Sequence, residues 1–176
     1  GLNKVKKHIF DGDTYQVNYT LKYKFKHGGS PFDLYQKLRE SQCVEFGAFL
    51  DFPNIKILSR SPELFFRKEG GRISTKPMKG TIERGATPEE DLDNIKFLSR
   101  DEKSRAENVM IVDLLRNDLS RVSKRGSVEA STLFEVQTYE TLHQMVSTVS
   151  ADVNPDLSLK DLFSEIFPCG SITGAP

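Results

Sequence analysis

A lysine framed by a proline and a glycine is the first feature of this 176-residue chain that could do chemistry. The segment "TKPMKGTIERG" runs from Thr75 to Gly85 and places Lys79 two residues after Pro77 and directly before Gly80. Proline blocks a helix here, and glycine permits tight backbone geometry or the close approach of a ligand. A lysine amine becomes a nucleophile when burial or a nearby positive charge lowers its pKa. The residues alone leave two interpretations open: a nucleophile, or a solvated loop lysine where a strand ends.

A carboxylate on an apolar helix face is the second candidate. Helical periodicity places Glu107 on the same face as apolar residues of the two following turns. Such a carboxylate costs free energy unless it is paired or binds a metal. An oxygen ligand for a hard cation such as Mg²⁺ would meet that requirement, and so would a buried salt bridge to Arg105 or Arg116. The spacing favours neither interpretation.

The third candidate is the C-terminal segment "FPCGSITGAP", from Phe167 to Pro176, which follows a predicted helix. Its small and hydroxyl residues could offer backbone N–H groups and hydroxyls to an anion. A tight turn without a ligand explains the same composition, and both interpretations stay open.

The composition and the motifs that are absent narrow the class of function. The chain has 25 basic and 25 acidic residues, and this zero net charge gives no support to nucleic acid or an anionic membrane as a partner. It contains no P-loop, dinucleotide fingerprint, HExxH or CxxC motif. Cys43 and Cys169 match no metal-ligand spacing and are predicted to be free thiols in a reducing compartment. No apolar run is long enough for a transmembrane helix, and the first residues lack the apolar core of a signal peptide, so we expect a cytoplasmic protein.

Helices and strands are predicted in blocks rather than in regular alternation. Apolar residues at period two predict a half-buried strand over residues 15–25. Helices are predicted after the N-cap residues Ser30, Thr87 and Ser158, with a break near 99–102 in the longest helical segment. Short strand-like runs lie at 44–52, 55–60, 63–68, 72–76, 127–140 and 142–153. The pattern predicts an α+β fold with a meandering antiparallel sheet and disfavours a doubly wound nucleotide-binding fold.

Six motifs follow one another along the chain: "GDTYQVNYT", "SRSPELFFR", "KPMKGTIERG", "AENVMIVDLLRNDLSRV", "HQMVSTV" and "FPCGSITGAP". Their order resembles that of the chorismate-utilising enzymes, which include anthranilate synthase component I, aminodeoxychorismate synthase component I and the isochorismate and salicylate synthases. The resemblance implies an α+β fold of two antiparallel β-sheets with helices packed outside. It also implies that residues 1–176 form a single partial domain, the N-terminal portion of the chorismate-binding catalytic domain, and that this fragment alone is inactive.

The lysine narrows the resemblance to one branch of the family. Lysine at the place of Lys79 is typical of aminodeoxychorismate synthases, whereas anthranilate synthases carry alanine there. The branch converts chorismate and ammonia to 4-amino-4-deoxychorismate for p-aminobenzoate and folate synthesis. The resemblance implies that Lys79 attacks C2 of chorismate as the 4-hydroxyl leaves, and that ammonia then adds at C4 and displaces the lysine. Anthranilate synthase component I, or an inactive fragment that acts only as a binding module, stays open as an alternative.

The resemblance also implies the remaining roles in the site. Glu63 would serve in proton transfer and Glu107 would be a ligand of the Mg²⁺ cofactor. A separate glutamine amidotransferase subunit would supply the ammonia. Contacts with chorismate are implied for Gly80, Thr81, Gln144, Ser171, Thr173 and Gly174.

The chain departs from the family pattern at two places. Ser104 stands where family metal sites often have a second acid, three residues before Glu107. Gln144 stands where many relatives have histidine, and His143 lies one place earlier. Neighbouring residues of a strand face opposite sides, so we expect only one of His143 and Gln144 to face the substrate.

Overall fold

The computed structural model of the protein describes residues 1–175, except for the side chain of Ala175. Pro176, the last residue of the "FPCGSITGAP" motif, lies outside the described residues. The chain divides into two compact units, one formed by Gly1–Thr20 with the residues from Phe65 onward and the other by Leu21–Leu64. Within the described part of the chain, no helix combines the length and the apolar composition needed to cross a membrane.

Helices and antiparallel strands are mixed along the chain, which confirms the predicted α+β class. The helices are α1 (Leu2–Phe10), α2 (Pro31–Ser41), α3 (Pro88–Arg100), α4 (Glu102–Ser120), α5 (Leu159–Ile166) and α6 (Gly170–Thr173). The strands are β1 (Gln16–Val17), β2 (Phe46–Phe52), β3 (Ile55–Ser61), β4 (Leu64–Glu69), β5 (Arg72–Lys76), β6 (Met78–Glu83), β7 (Glu129–Thr138), β8 (Leu142–Asp152) and β9 (Gly174–Ala175).

The central strand of the larger unit is β8. Strands β5 and β6 pair with one edge of β8 in succession, β7 pairs with its other edge, and β4 lies beside β5. Between β5 and β6, the backbone N–H of Ser147 in β8 donates to the carbonyl of Pro77 over 3.1 Å. Pro77 therefore interrupts the strand for a single residue, and the prediction that the strand ends before Lys79 is wrong. The lysine lies inside β6.

The two faces of β8 differ in burial. His143, Met145, Ser147, Val149 and Ala151 are all fully buried. Helices α4 and α5 cover this face and contribute an apolar cluster that consists of Ile111, Val112, Leu115, Leu119, Leu162 and Ile166. The residues between them, on the opposite face of β8, are mostly polar, and several are half-buried. Alternation of this kind is typical of an antiparallel sheet with helices on one face.

The predicted helix starts are confirmed because their capping residues act locally. Ser30, Thr87 and Ser158 each accept a hydrogen bond from a backbone N–H in the first turn of the helix that follows. Asp101 ends α3 and caps α4, where its carboxylate accepts from the N–H of Ser104 over 2.8 Å. This carboxylate explains the predicted break.

The predicted strand over residues 15–25 is wrong for most of its length. Only Gln16–Val17 form a strand, β1, which pairs antiparallel with β9. Tyr19, Leu21 and Tyr23 are exposed, and residues 18–25 have no strand assignment. Alternation of apolar residues shows which side chains share a face of an extended segment. It does not show whether another strand lies beside that segment and forms hydrogen bonds with it, because such a partner is far away in the sequence.

The smaller unit contains α2 and the β2–β3 hairpin. The two strands pair in continuous antiparallel register from Phe46 opposite Ser61 to Phe52 opposite Ile55. The ring of Phe49 packs edge-on against that of Phe32 in α2, with 5.2 Å between centroids. This aromatic contact joins the helix to the hairpin.

Candidate active site

A β-bulge lies in β6 at the predicted nucleophile. Met78 pairs with Val146, and Thr81 pairs with Gln144, so three steps along β6 oppose two steps along β8. The extra residue falls in the Lys79–Gly80 pair. A bulge re-aims the side chains next to it and bends its strand, which makes it a common device at active sites.

Gly80 is required at this bulge for two independent reasons. Its φ of +91° lies in the region that favours glycine. A Cβ added there would also lie 2.7 Å from the Cβ of Ser104 in α4 and 3.3 Å from Leu98 Cδ1 in α3. The glycine therefore allows the bulged strand to approach both helices closely.

The side chain of Lys79 reaches from the bulge to α6. Its Nζ donates a hydrogen bond to the backbone carbonyl of Ser171 over 2.8 Å. The amide Nδ2 of Asn18 donates to the same carbonyl, also over 2.8 Å. Ser171 is only 5% exposed and Lys79 is half-buried. The interpretation of Lys79 as a solvated loop residue is therefore wrong.

The C-terminal segment forms a short helix followed by a paired strand rather than a simple turn. Val17 of β1 lies opposite Gly174, and the N–H of Asn18 donates to the carbonyl of Thr173 over 3.1 Å. The φ of Gly174 is +120°, and a Cβ there would lie 2.0 Å from the carbonyl oxygen of Gln16. Glycine is thus needed where β1 and β9 meet.

The hydroxyls of this segment bond to Cys169, the residue directly before α6. The Oγ of Ser171 lies 3.1 Å from the Sγ of Cys169, and the Oγ1 of Thr173 donates to the carbonyl of Cys169 over 3.3 Å. Two of the three predicted substrate contacts in the segment therefore have hydroxyls that are engaged by the N-cap residue of the helix.

Helix α4 connects the bulge to α6. Ser104 contacts Gly80 at one end of this stretch, and a Cβ on Gly170 would lie 2.0 Å from Leu114 Cδ2 at the other. Ten residues of helix separate the two contacts, which is about 15 Å. Glu107 lies between them, one turn beyond Ser104.

Glu107 has neither of the two partners that the sequence suggested. Its nearest cation is Lys103, whose Nζ lies 4.0 Å from Oε1, and its side chain is 38% exposed. Arg105 instead stacks over the ring of Phe134, with its Cζ 4.1 Å from the centroid, and Arg116 pairs with Asp113. The predicted buried salt bridge to Arg105 or Arg116 is therefore wrong, because both side chains leave the helix in other directions.

The chemistry of Glu107 is compatible with one ligand of Mg²⁺. Within residues 1–175, no group of three or more His, Cys, Asp or Glu side chains is arranged to hold a metal. Mg²⁺ keeps several waters and commonly takes one or two carboxylates together with oxygens of the substrate. A single half-exposed carboxylate fits that pattern as one contributor.

His143 and Gln144 lie on opposite faces of β8, as the sequence predicts for neighbours in a strand. Gln144 is half-buried and lies directly opposite Thr81, on the face away from the helices. His143 is fully buried on the helix side, where its Nδ1 lies 2.9 Å from the Oγ1 of Thr138. Of the two, Gln144 is the one that shares a face with Thr81.

A second polar cluster, unforeseen from the sequence, surrounds the carboxylate of Asp91 in α3. Arg84 donates to it twice, from Nε over 2.7 Å and from Nη2 over 2.8 Å. The N–H of Gly85 and the Nε2 of His143 each lie 2.8 Å from its Oδ1. The Arg84 hydrogen bonds, followed by those from Gly85 and His143, hold the pKa of Asp91 far below its ordinary value, and Asp91 raises the pKa of Arg84. An ionised carboxylate only accepts, so His143 Nε2 carries the donated proton.

The comparisons with known proteins identify the family. The whole chain, residues 1–176, matches the family described as chorismate binding enzymes. The chain belongs to this family. The resemblance inferred from the six motifs is thereby confirmed.

The relatives of this chain carry two kinds of name. The chain is 47% identical over 96% of its length to a Streptomyces griseus protein named aminodeoxychorismate synthase, and 40% identical over 99% to aminodeoxychorismate synthase component 1 of Salmonella typhimurium. It is also 42% identical over 99% to a protein of Haloarcula marismortui named anthranilate synthase component 1. The chain spans only 23%, 38% and 36% of the lengths of these three relatives.

A solved structure supports the fold of the chain. Anthranilate synthase component I from Streptococcus pneumoniae superposes with a TM-score of 0.87 at 30% identity, over 99% of this chain and 38% of the other. Antiparallel sheets with helices packed against them are therefore confirmed.

The larger unit of the chain brings several of the predicted residues together in two groups. Lys79 donates a hydrogen bond to the carbonyl of Ser171 in α6, and Thr81 in β6 pairs with Gln144 in β8. Glu63 belongs to the smaller unit, where it is half-buried and its backbone N–H donates to the Oγ of Ser61 over 3.3 Å. The residue that sequence reasoning missed is Asn18. It lies inside the quoted "GDTYQVNYT" motif, which predicts a strand and contributes to the family resemblance but assigns no role to Asn18.

Proposed function

We propose that the full-length protein containing this chain is the catalytic component of aminodeoxychorismate synthase. It would convert chorismate and ammonia to 4-amino-4-deoxychorismate, the precursor of p-aminobenzoate. The observation that carries the proposal is the half-buried Lys79, which a glycine-dependent bulge aims at the carbonyl of Ser171. Several relatives that align with nearly the whole chain bear the same name, which supports the proposal.

Lys79 would act as the nucleophile of a two-step substitution. Its neutral amine forms a C–N bond at C2 of chorismate and gives up a proton, both conjugated ring double bonds shift by one position, and the 4-hydroxyl departs as water after it takes up a proton. Ammonia then forms a C–N bond at C4 and gives up a proton, both double bonds shift back, and the Lys79 amine leaves C2 after it takes up a proton. Covalent catalysis of this kind divides one difficult substitution into two easier ones.

Other residues of the chain would bind and orient the substrate. We propose Glu63 as the group that exchanges a proton with the departing hydroxyl. Chorismate would contact the bulge and the adjoining rung of the sheet through Gly80, Thr81 and Gln144, and its carboxylate would be received by the α6 segment through Ser171, Thr173 and Gly174. Glu107 would contribute one carboxylate oxygen to Mg²⁺, an ion that supplies positive charge to a carboxylate-bearing substrate.

The proposal extends to partners, domain organisation and location. Several of the relatives are named component 1, which supports a second component, and we propose a glutamine amidotransferase that supplies ammonia. The two compact units would belong to one partial domain, the N-terminal portion of the catalytic domain. The free thiols of Cys43 and Cys169 support the reducing cytoplasm as the location.

Anthranilate synthase component I is the second candidate, because a relative of that name is 42% identical to the chain. A fragment that only binds chorismate or a partner subunit is the third. The anchored amine of Lys79 favours aminodeoxychorismate synthase over the other two candidates, because only the proposed two-step substitution uses a lysine nucleophile.

The deciding experiment supplies the full-length protein with chorismate, Mg²⁺ and an ammonium salt, and identifies the product by mass and fluorescence. We expect 4-amino-4-deoxychorismate together with a transient covalent adduct on the protein. Formation of anthranilate would contradict the proposal, and the absence of any turnover would favour a binding module.

A further inference from the structure

Two side chains that are far apart in the sequence converge on one backbone oxygen. Asn18 and Lys79 precede Ser171 by 153 and 92 residues, and both donate to its carbonyl over 2.8 Å. A carbonyl oxygen has two lone pairs, so these two donors fill its capacity. The direction of this carbonyl is therefore set jointly by Asn18 and Lys79.

The amide of Asn18 is not needed to hold its own strand. The backbone N–H of Asn18 already donates to the carbonyl of Thr173, and Val17 pairs with Gly174 in the β1–β9 ladder. The side chain adds a contact to Ser171, two residues further into α6. Its effect is therefore on the carbonyl of Ser171, which is the acceptor for the Lys79 amine.

A fixed acceptor matters for a lysine more than for most side chains. The flexible four-carbon stem of lysine has large rotamer freedom, and ordering it before the reaction removes an entropic cost from the reaction step. Errors of about 1 Å in the position of a reacting group can lower a rate roughly a hundredfold. The carbonyl of Ser171 holds the end of this stem.

We propose that Asn18 is a positioning residue for the nucleophile: by fixing the carbonyl of Ser171, it places the Nζ of Lys79. The inference rests on the proposed function of Lys79 and deepens it, since it names the residue that aims the amine. Asn18 acts through the carbonyl and does not itself form or break a bond with chorismate.

The first test measures the position of the amine without any substrate. A small amine-acylating reagent is applied to the full-length protein, and the labelling rates of Lys79 and Lys76 are measured by peptide mass spectrometry. Lys76 is the internal control, because it is also half-buried and lies in the neighbouring strand β5. Loss of a hydrogen bond changes such a rate by roughly two- to tenfold.

Two substitutions of Asn18 should move the labelling of Lys79 in opposite directions. Asn18→Ala releases the carbonyl, so we expect labelling of Lys79 to become roughly two- to tenfold faster. Asn18→Asp introduces a carboxylate that pairs with the ammonium, so we expect slower labelling than in the wild type. Lys76 should keep its rate in both variants. A purely structural role would instead accelerate both lysines in both variants.

The second test measures the proposed reaction. Both variants should form the chorismate adduct about tenfold more slowly than the wild type, with chorismate affinity changed by less than about threefold. Asn54→Asp, in the exposed β2–β3 turn, controls for the added charge and should leave the adduct rate unchanged. Thermal unfolding of each variant checks that the fold is kept.

The outcomes separate the inference from the proposed function. If the wild type forms no adduct, the proposed function fails, whereas opposite labelling shifts would still support the link between Asn18 and Lys79. If the wild type forms the adduct but both Asn18 variants form it at the wild-type rate, the inference is wrong. Equal acceleration of labelling at Lys76 and Lys79 would also overturn it.

Discussion

The two ends of β6 hold two polar clusters of different character. After its C-terminal end, the carboxylate of Asp91 accepts hydrogen bonds from Arg84, Gly85 and His143, and its charge is neutralised by a two-pronged guanidinium contact. Near its N-terminal end, the Lys79 amine is held at a neutral backbone carbonyl. The first cluster joins oppositely charged partners, and the second joins an ammonium to a dipole.

This difference indicates which cluster can take part in a reaction. Breaking the Asp91 cluster would leave a charged group with several lost partners, at a high cost in free energy. Moving the Lys79 amine from the Ser171 carbonyl to a substrate costs a single hydrogen bond, about 1.5–3 kcal/mol when one partner is charged. We therefore assign the Asp91 cluster to stability and the Lys79 cluster to chemistry, and substitutions at the two ends should have separable effects.

The largest expected effect is complete loss of the covalent adduct in Lys79→Ala. The substitution removes the amine that the bulge aims at α6, so the proposed bond to C2 of chorismate cannot form. Intact mass spectrometry of the full-length protein mixed with chorismate and Mg²⁺ measures the adduct directly. Chorismate should still bind, because the substrate contacts proposed above lie elsewhere.

Lys76→Ala is the matched control for this prediction. Lys76 lies three residues earlier, beyond Pro77, and its replacement should leave the adduct at the wild-type level. An adduct that survives in Lys79→Ala would refute the assignment of Lys79 as the nucleophile. It would also contradict the proposal that the Lys79 end of β6 serves the reaction and the Asp91 end serves stability.

The second prediction concerns metal removal. If Glu107 is a ligand of Mg²⁺, then Glu107→Gln should raise the Mg²⁺ concentration needed for half-maximal turnover by roughly ten- to a hundredfold, because an amide is a weaker ligand for a hard cation. Turnover of the wild type should disappear with EDTA and return with added Mg²⁺.

Asp113→Asn controls for the loss of one carboxylate from the same helix, since Asp113 is exposed and pairs with Arg116. An unchanged Mg²⁺ requirement in Glu107→Gln would remove Glu107 from the site. It would not affect the assignment of Lys79, so the comparison between the ends of β6 would stand.

The third prediction tests the bulge itself. Gly80→Ala should lower the free energy of unfolding by about 1–2 kcal/mol for the positive φ and by about 1–3 kcal/mol more for the crowding against Ser104. Denaturant titration measures the sum. The same substitution should also slow adduct formation, because the shift needed to admit the methyl group changes the aim of Lys79.

Gly126→Ala measures the conformational cost alone and so separates it from the cost of crowding. Gly126 has a φ of +78° but no heavy atom within 4 Å of its added Cβ, so only the conformational cost applies. If both substitutions lower stability equally, the contact with Ser104 does not constrain the bulge. The double variant Gly80→Ala/Ser104→Gly should recover part of the loss.

The sequence predicted those features that depend on neighbouring residues or on long motifs. The capping serines and threonine act within four residues of their own helix, so Ser30, Thr87 and Ser158 were predicted correctly. The six ordered motifs likewise identified the family, because they record many positions at once. The opposite orientation of His143 and Gln144 followed from strand geometry alone.

The features that the sequence did not predict are contacts between distant segments. Asn18 and Ser171 are 153 residues apart, and His143 and Asp91 are 52 apart. A pattern along the chain says which residues share a face but not which segment covers that face. For the same reason the strand over 15–25 was predicted too long, since its pairing stops at Val17, opposite the first residue of β9.

The smallest expected effect is a pH dependence at the other end of β6. The folded state depresses the pKa of Asp91 below its unfolded value of about 3.9, mainly through Arg84. The ionised form is therefore favoured by folding, and this stabilisation is fully present above the unfolded pKa. It is lost progressively as pH falls below about 4 toward the folded pKa, because the unfolded chain then binds the proton more readily.

We expect the unfolding midpoint of the wild type to fall more steeply between about pH 4 and pH 2 than that of Asp91→Asn, which lacks the titrating group. Asp93→Asn is the matched control, because Asp93 lies in the same helix and its side chain is 74% exposed. Parallel curves for the wild type and Asp91→Asn would show that the Asp91 cluster is not a source of stability. At neutral pH, Asp91→Asn should still form the chorismate adduct in the same proportion of folded molecules, because the Lys79 end of β6 keeps its own contacts.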